Sequence, residues 1–294
     1  MDRTDHAGVA RLKPLAVEDF RKLARLVETA CGVRLDDDRL ALLQGRLLRR
    51  LRSLGLSSYA DYYRFVVADA SGVEVERLVD LATTHSTSFF RETAHYEHLR
   101  RAPVRSYLHR RVHLSDEVFR VWSAGCSTGE ETYSLVMVLL ETLPRGTPFR
   151  VYGSDVSPAV IAFARGGRYS DLQVEGVPPS FLARYFRGVT GGPGRSSLYE
   201  VSDDLRSRVE FQPHNLVSSD FPPCNAFDAI FCRNVLMYFS RESQTVVANR
   251  LVRHLRPGGY VYTGLSESLL WVDNELEHAA PSVYVLPATL SSLA

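Results

Sequence analysis

The sequence holds little lysine, cysteine, methionine or tryptophan. Lys13 and Lys22 are its only lysines within a Lys+Arg total of 35. That bias is the mark of a GC-rich coding sequence before it is a preference for forked carboxylate or phosphate contacts. No charge sign is in excess: Asp+Glu is 34, leaving a formal net charge of +1. A uniformly basic nucleic-acid coat and a disordered polyelectrolyte are both excluded, although a local basic patch is not. The four cysteines, Cys31, Cys126, Cys224 and Cys232, never fall in CxxC spacing, so neither a zinc ribbon nor a dithiol redox site is expected. Scattered cysteines of this kind suit a reducing cytoplasm. No apolar run approaches the ~20 residues of a membrane span, the longest being 135–140, and the first twenty residues hold no signal-peptide core. A cytoplasmic chain without membrane insertion is expected. GxGxxG and the P-loop pattern are also missing, which speaks against a dinucleotide oxidoreductase and a nucleotide triphosphatase.

What is present falls into two parts. With 294 residues and a 45% hydrophobic content, the chain can build one large domain or two modest ones. Up to residue 76 the pattern is helical. Leu40, Leu43, Leu47, Leu51 and Leu54 recur at spacings of three and four, Asp36, Asp37 and Asp38 suit the start of that helix, and Gly55 suits its stop. Further helices are expected over 17–30 and 58–68, giving a small all-helical domain over 1–76. Beyond Asp116 strands alternate with helices. Strands are read at 119–124, 149–155, 209–216, 227–239, 260–264 and 282–286, with helices at 131–143, 158–167 and 240–259, the last closed by Pro257, Gly258 and Gly259. This alternation predicts a doubly wound α/β sheet over 77–294. Between about 170 and 208 the alternation breaks, with a short helix over 177–186 and a turn-rich stretch holding a possible hairpin, which reads as an insertion.

Three stretches carry chemistry. In VWSAGCSTGEE (121–131) a strand runs through Gly125 and Gly129 into a helix, either as an ordinary tight turn or as a ligand cradle. Glu130 and Glu131 at the helix start would repel a pyrophosphate but tolerate an ammonium or a sulfonium. Asp155 ends the next strand, where an acid either accepts from a ribose or caps the following helix. LATTHSTSFFRE (81–92) is a run of hydroxyls, two aromatics and Arg91, read either as a capping run before a helix starting near Phe89 or as a site offering Thr87 and Arg91. FCRNVLMYF (231–239) leaves a buried strand through Arg233 and Asn234 and ends in Tyr238 and Phe239. His95, His98, His109 and His113 have helical spacings but lack the further ligands a metal centre needs, so no metal is expected. Arg39, Arg46 and Arg50, with Arg49 nearby, form a basic run without an acid, either a solvated face or a docking face for an acidic partner.

Taken in order, TSFFRE (87–92), WSAGCSTGEETYS (122–134), the Asp155 strand, FDAIFCRNVLMYF (227–239) and LRPGG (255–259) make the chain similar to the chemotaxis receptor methyltransferases, the CheR family, over about 15–287. The resemblance implies a class I, Rossmann-like methyltransferase domain with a small antiparallel β insertion and S-adenosylmethionine as cofactor. It implies methyl transfer to glutamate side chains on chemoreceptor cytoplasmic helices, by a monomer that binds no nucleic acid. Position by position, it implies that His85, Thr87, Arg91, Gly125, Glu130, Asp155, Asn215, Leu216, Asn234 and Val235 hold the cofactor. Arg91 and Tyr238 would stand at the reacting centre, and Arg39, Arg46, Arg49 and Arg50 would dock the receptor. The sequence departs from the family where His85 replaces a common asparagine, Thr132 a frequent proline and Leu265 a usual histidine. The long insertion tip, VTGGPGRSS, predicts an enzyme independent of a receptor tether peptide. Three rival readings remain: an NAD-dependent oxidoreductase, a noncatalytic S-adenosylmethionine-binding regulator of the same fold, and a nucleic-acid methyltransferase using the arginine helix for phosphates.

Overall fold

The structure is a computed structural model describing residues 13–112, 117–189, 197–218 and 227–288. The chain divides into two compact units between Thr83 and Thr84. The boundary expected after Glu76 falls inside a helix, because that helix buries Leu78, Val79 and Ala82 and so cannot end there.

The first unit has four helices: α1 (Val17–Cys31), α2 (Leu40–Leu54), α3 (Tyr59–Ala68) and α4 (Val73–Ala82). Phe20, Leu23, Ala24, Val27 and Cys31 form the buried stripe of α1, and Gly32, at φ 75°, ends it in a left-handed turn. In α2 the core takes Leu43, Leu47 and Leu51, and Gly55 closes the helix at φ 67°. The aspartates before α2 do not cap it. Asp37–Arg39 form a 3₁₀ turn, Asp36 makes no side-chain cap bond, and Asp37 is bound by Arg21 at 2.7 Å. Ser58 does cap α3, accepting from the Asp61 N–H. Glu74 of α4 is buried and receives Arg50 Nε at 3.0 Å and the Tyr62 hydroxyl at 2.9 Å.

The second unit begins with α5 (Thr93–Arg101) and α6 (Pro103–Arg111), followed by β1 (Phe119–Ala124), α7 (Glu130–Thr142), β2 (Phe149–Asp155) and α8 (Pro158–Gly166). The insertion then supplies β3 (Arg168–Ser170), α9 (Asp171–Val174), α10 (Pro179–Tyr185), β4 (Phe186–Val189), β5 (Leu198–Val201) and α11 (Asp203–Arg206). The chain returns with β6 (Val209–Pro213), β7 (Phe227–Cys232), α12 (Arg241–His254), β8 (Leu255–Thr263), β9 (Glu277–Ala280) and β10 (Val283–Val285). The main sheet has the order β6-β2-β1-β7-β8-β10-β9, parallel from β6 to β8 and antiparallel at β10 and β9. Every residue of β7 is buried, as expected for a strand covered on both faces. The insertion is a separate antiparallel sheet, β3-β5-β4, where Glu200 of β5 holds Arg168, Arg187 and Arg206. The VTGGPGRSS tip lies almost wholly outside the described residues.

Several boundaries differ from the sequence expectation: the strand read over 209–216 ends at Pro213, and the one read over 227–239 ends at Cys232, with Leu236–Tyr238 in a 3₁₀ turn. The helix expected through Gly259 stops at His254, and LRPGG is extended. Pro257 offers no N–H and biases Arg256 away from helical backbone, so the strand begins at Leu255 and bulges before Tyr260 pairs with Ala229. The helix expected near Phe89 starts at Thr93, since Phe89 is buried edge-on against Tyr169 and Phe186 and the chain must turn sharply behind it. Among the described residues no helix is long and apolar enough to cross a membrane.

Candidate active site

In the main sheet, β1 is flanked by β2 on one side and β7 on the other, so the strand order reverses between β1 and β7. Open α/β sheets bind ligands beyond the carboxyl ends of their strands at this reversal. There the chain leaves β1 through Gly125 at φ 80° and reaches α7 through Gly129 at φ 93°. The N–H groups of Gly125 and Cys126 both donate to the Ser154 carbonyl at 2.8 Å, binding the loop to the end of β2. Both glycines are sterically required. A Cβ on Gly125 would lie 2.5 Å from Val235 Cγ2, and one on Gly129 2.8 Å from Ala164 Cβ.

Asp155 closes β2 and is 8% exposed. Its Oδ2 accepts from the Ser127 N–H at 2.9 Å and its Oδ1 from the Ser157 N–H at 3.1 Å. Through these two bonds the residue orders the glycine loop against the start of α8. The Asp155 carbonyl accepts from His214 N at 2.8 Å, which brings half-buried Asn215 and buried Leu216 to the same strand ends. From the other side, Ser127 Oγ donates to the His85 carbonyl at 2.9 Å, and the Phe90 N–H donates to Ser134 Oγ at 3.0 Å. These two bonds carry the 85–91 stretch across the start of α7. Thr87 is half-buried there and Arg91 is exposed, within 3.4 Å of the Ser86 carbonyl.

Beneath this stretch lies Arg233, which the sequence reading named at the end of its strand without giving it a role. Arg233, its side chain 2% exposed, donates through Nη2 to the Arg91 carbonyl at 2.5 Å. Its Nε lies 3.3 Å from Glu92 Oε2 and 3.4 Å from Glu131 Oε2. Burial works against its charge, but Glu131, Tyr96 and Glu92 together hold the guanidinium pKa above its usual value. One buried cation therefore joins the Arg91 segment to α7 and to the Asn234 loop that follows it in sequence. Phe90, Glu92 and Asn234 all have positive φ, at 54°, 56° and 58°. Such backbone costs roughly 1–3 kcal/mol per residue and persists only where surroundings enforce it. His95 is 1% exposed beside Glu92, and burial, with Arg233 nearby, pushes its imidazole down to about 4. It packs as a neutral core residue rather than as a ligand; among the described residues no three metal-ligating side chains converge.

The candidate residues do not all gather equally. Glu130 is 2% exposed; its carboxylate accepts from Thr128 Oγ1 at 2.6 Å and Gln173 Nε2 at 3.3 Å, and burial raises its pKa. It ties the glycine loop to the insertion. Tyr238 is half-buried at the end of a 3₁₀ turn over Leu236–Tyr238. The α2 arginines belong to the first unit, and two of them are already engaged there. Arg46 donates to the carbonyls of Leu81 and Thr83, at 2.9 and 2.5 Å, and Arg50 grips Glu74. The exposed positions of that helix are instead Ala41, Leu42, Gly45, Arg49, Arg52 and Ser53. The basic run thus has an inward pair and an outward pair, which residue counting alone could not separate.

The glycine-cornered loop at the β1/β7 reversal, with Asp155 ending β2, stands where an open α/β sheet takes a nucleoside. It defines a class I S-adenosylmethionine-dependent methyltransferase. Residues 85–285 match the CheR methyltransferase, SAM binding domain, and residues 18–83 match the CheR methyltransferase, all-alpha domain. The chain belongs to the CheR methyltransferase family. It is 35% identical over 281 residues to the chemotaxis protein methyltransferase of Escherichia coli (strain K12), covering 92% of each chain. It is also 35% identical over 269 residues to chemotaxis protein methyltransferase 2 of Pseudomonas aeruginosa, covering 91% of this chain and 92% of that one. Among solved structures, the glycopeptide N-methyltransferase MtfA complexed with sinefungin aligns with 57% of this chain and 51% of its own, at 14% identity and a TM-score of 0.33. The cofactor is S-adenosylmethionine, and the chain is a methyltransferase of chemotaxis.

Proposed function

We propose that this enzyme methylates the side-chain carboxylates of glutamates on the cytoplasmic helices of chemoreceptors, acting in the cytoplasm and yielding glutamate methyl esters and S-adenosylhomocysteine. The observation that carries the reading is the joining of two loops by Arg233, which holds Arg91 on one side and precedes Asn234, Val235 and Tyr238 on the other. In this reading Asp155 accepts from the ribose. Thr87, Gly125, Asn215, Leu216, Asn234 and Val235 surround the nucleoside and the sulfonium, with His85 and Glu130 at their edges. Glu130 acts there by fixing the loop through Thr128.

Bound S-adenosylmethionine supplies an electrophilic methyl group on a sulfonium. The chain's own work is positioning. A glutamate carboxylate with an ordinary pKa of ~4.3 is already ionised at neutral pH, so no general base is required. Transfer of that methyl group to the carboxylate oxygen would leave the electron pair of the broken carbon–sulfur bond on the sulfur. Opposite charges cancel in this step, and water, which favours them separated, must be excluded. Arg91 orients the incoming carboxylate through its guanidinium fork, and Tyr238 borders it. Reacting atoms held at ~3–3.5 Å account for most of the rate. Arg91 is exposed and lightly bound, so it can guide a carboxylate without sequestering its lone pairs.

The test is transfer of labelled methyl groups from S-adenosylmethionine to receptor cytoplasmic fragments, followed by alkaline release of methanol from the product. Base-labile label on glutamate is the expected result, with Arg91→Ala reducing kcat while S-adenosylhomocysteine still binds. Label stable to base, or undiminished transfer by Arg91→Ala, would contradict the reading.

A further inference from the structure

The turn that carries Asn234, Val235 and Tyr238 is held by a residue from the next loop of the sheet. After β8 the chain enters GLSES, where the Glu267 N–H closes a turn onto the Gly264 carbonyl at 2.9 Å. The Glu267 side chain, 8% exposed, folds back over this turn. Its Oε2 accepts from the N–H groups of Gly264 at 2.6 Å and Asn234 at 2.8 Å, and its Oε1 accepts from the Met237 N–H at 3.1 Å. One carboxylate thus receives backbone donors from both ends of the turn and from its own. Bonds to an ionised acceptor are roughly twice as strong as neutral ones. The approach is close enough to dictate the neighbouring residue: a Cβ on Gly264 would lie 2.5 Å from Asn234 Nδ2 and 2.9 Å from Asn234 N. The clasp also stands where the backbone needs support, because Asn234 is held at φ 58°. Val235, between the two clasped N–H groups, is the residue that meets Gly125.

We infer that Glu267 is a positioning residue for methyl transfer. It touches neither cofactor nor glutamate, and it fixes Asn234 and Val235 against the Gly125 loop and Tyr238 beside the acceptor. The inference rests on the roles given above to Asn234, Val235 and Tyr238. Glutamine at this position keeps the volume but replaces one acceptor oxygen by an N–H₂ facing a backbone N–H.

The experiment uses the full chain as Glu267→Gln and Glu267→Ala, with Asp228→Asn as control. Asp228 is also buried and bound by Arg110 and the Arg120 N–H, but it sits near the start of β7, at the opposite end from Asn234. Calorimetric titration with S-adenosylhomocysteine should show Kd rising about tenfold in Glu267→Gln, since buried donors lose their acceptor. In the same variant kcat should fall about a hundredfold, the order of loss from a small misplacement. Asp228→Asn should lower the melting temperature and leave Kd within about twofold. Tyr238→Phe, costly in the native background, should cost little more in Glu267→Gln, because the ring is already displaced. Kd and kcat of Glu267→Gln within about twofold of native would overturn the proposal, as would strictly multiplicative effects of the Tyr238 and Glu267 changes. If Glu267→Ala fails to fold, the isosteric glutamine carries the test. If the native enzyme methylates no receptor fragment, the functional reading falls, while the S-adenosylhomocysteine titration still decides the role of Glu267.

Discussion

Gly125→Ala tests the geometry of the cofactor cradle with a single added carbon. At φ 80° an alanine sits in left-handed backbone, at a cost of about 1–2 kcal/mol. The new Cβ would meet Val235 Cγ2 at 2.5 Å, far inside the ~3.5–4.0 Å of a comfortable carbon contact. Relieving such overpacking costs typically about 1–3 kcal/mol. The sum is about 2–5 kcal/mol, and it can be relieved only by separating the β1 and β7 loops or by loosening the unit. Titration with S-adenosylhomocysteine should show affinity reduced at least about tenfold, at about 1.4 kcal/mol per decade. Thermal melting should fall by up to roughly 20 °C, at about 2–4 °C per kcal/mol for a unit of this size. The two costs separate in Gly125→Ala/Val235→Ala. Removing both Cγ atoms leaves Val235 Cβ at 3.5 Å, an ordinary contact, so the steric part vanishes and the φ part remains. The double variant should recover roughly half of the loss. Binding of Gly125→Ala within about twofold of native with an unchanged melting temperature would refute the close approach, and a double variant no better than the single would refute the clash as its cause.

Further outcomes follow from other parts of the molecule. Arg233→Met leaves Glu92 and Glu131 buried without their cation and should cost about 3–5 kcal/mol, with Arg233→Lys restoring part of it; a melting temperature unchanged in Arg233→Met would contradict the bridging role. His95 is held near pH 4 against an ordinary 6.5, so the folded state favours its neutral form. Its stabilisation is present above pH 6.5 and is lost as pH falls toward 4, by about 2–3 kcal/mol between pH 7 and 4.5. Asp228, its carboxyl pushed up to about 6 by burial, acts in the opposite sense over the same range, so the effect is read as native minus His95→Gln in urea denaturation at each pH. Identical pH profiles for the two proteins would dismiss it. Arg49→Glu/Arg52→Glu should raise KM for receptor fragments without changing S-adenosylhomocysteine affinity. Arg50→Ala should instead lower stability by stranding Glu74, and equal effects of the outward and inward arginines on KM would count against this division.

The α/β order was readable because apolar strand segments alternate with helical ones along the chain, and the helical stripe of α2 was readable from leucine spacing alone. The family resemblance supplied candidate cofactor residues, several of which lie on the loops at the β1/β7 reversal. What stayed hidden was whatever depends on partners distant in sequence. Glu267 is one acid among thirty-four until its three backbone donors are seen. Arg46 and Arg50 looked like surface because helical angle does not reveal whether a carbonyl or a buried carboxylate waits opposite. Arg233 was visible as a polar residue leaving a buried strand, a pattern that marks a ligand site and an internal brace alike.

The clasp on the Asn234 turn also bears on how the chain acquires its site. The pieces that meet there come from residues 85–91, 125–131, 155, 215–216, 233–238 and 264–267, so nearly every contact closes a long loop of chain. Long-range closure of this kind is slow and comes late in folding. During synthesis, a chain that has emerged only as far as β7 holds the glycine loop but not the carboxylate that steadies its counterpart. S-adenosylmethionine therefore meets a complete pocket only once β8 has paired and Glu267 has folded back. A ligand that binds only the finished state stabilises it by about 2.7 kcal/mol at a hundredfold excess over Kd. Bound cofactor therefore favours the finished fold over every earlier one.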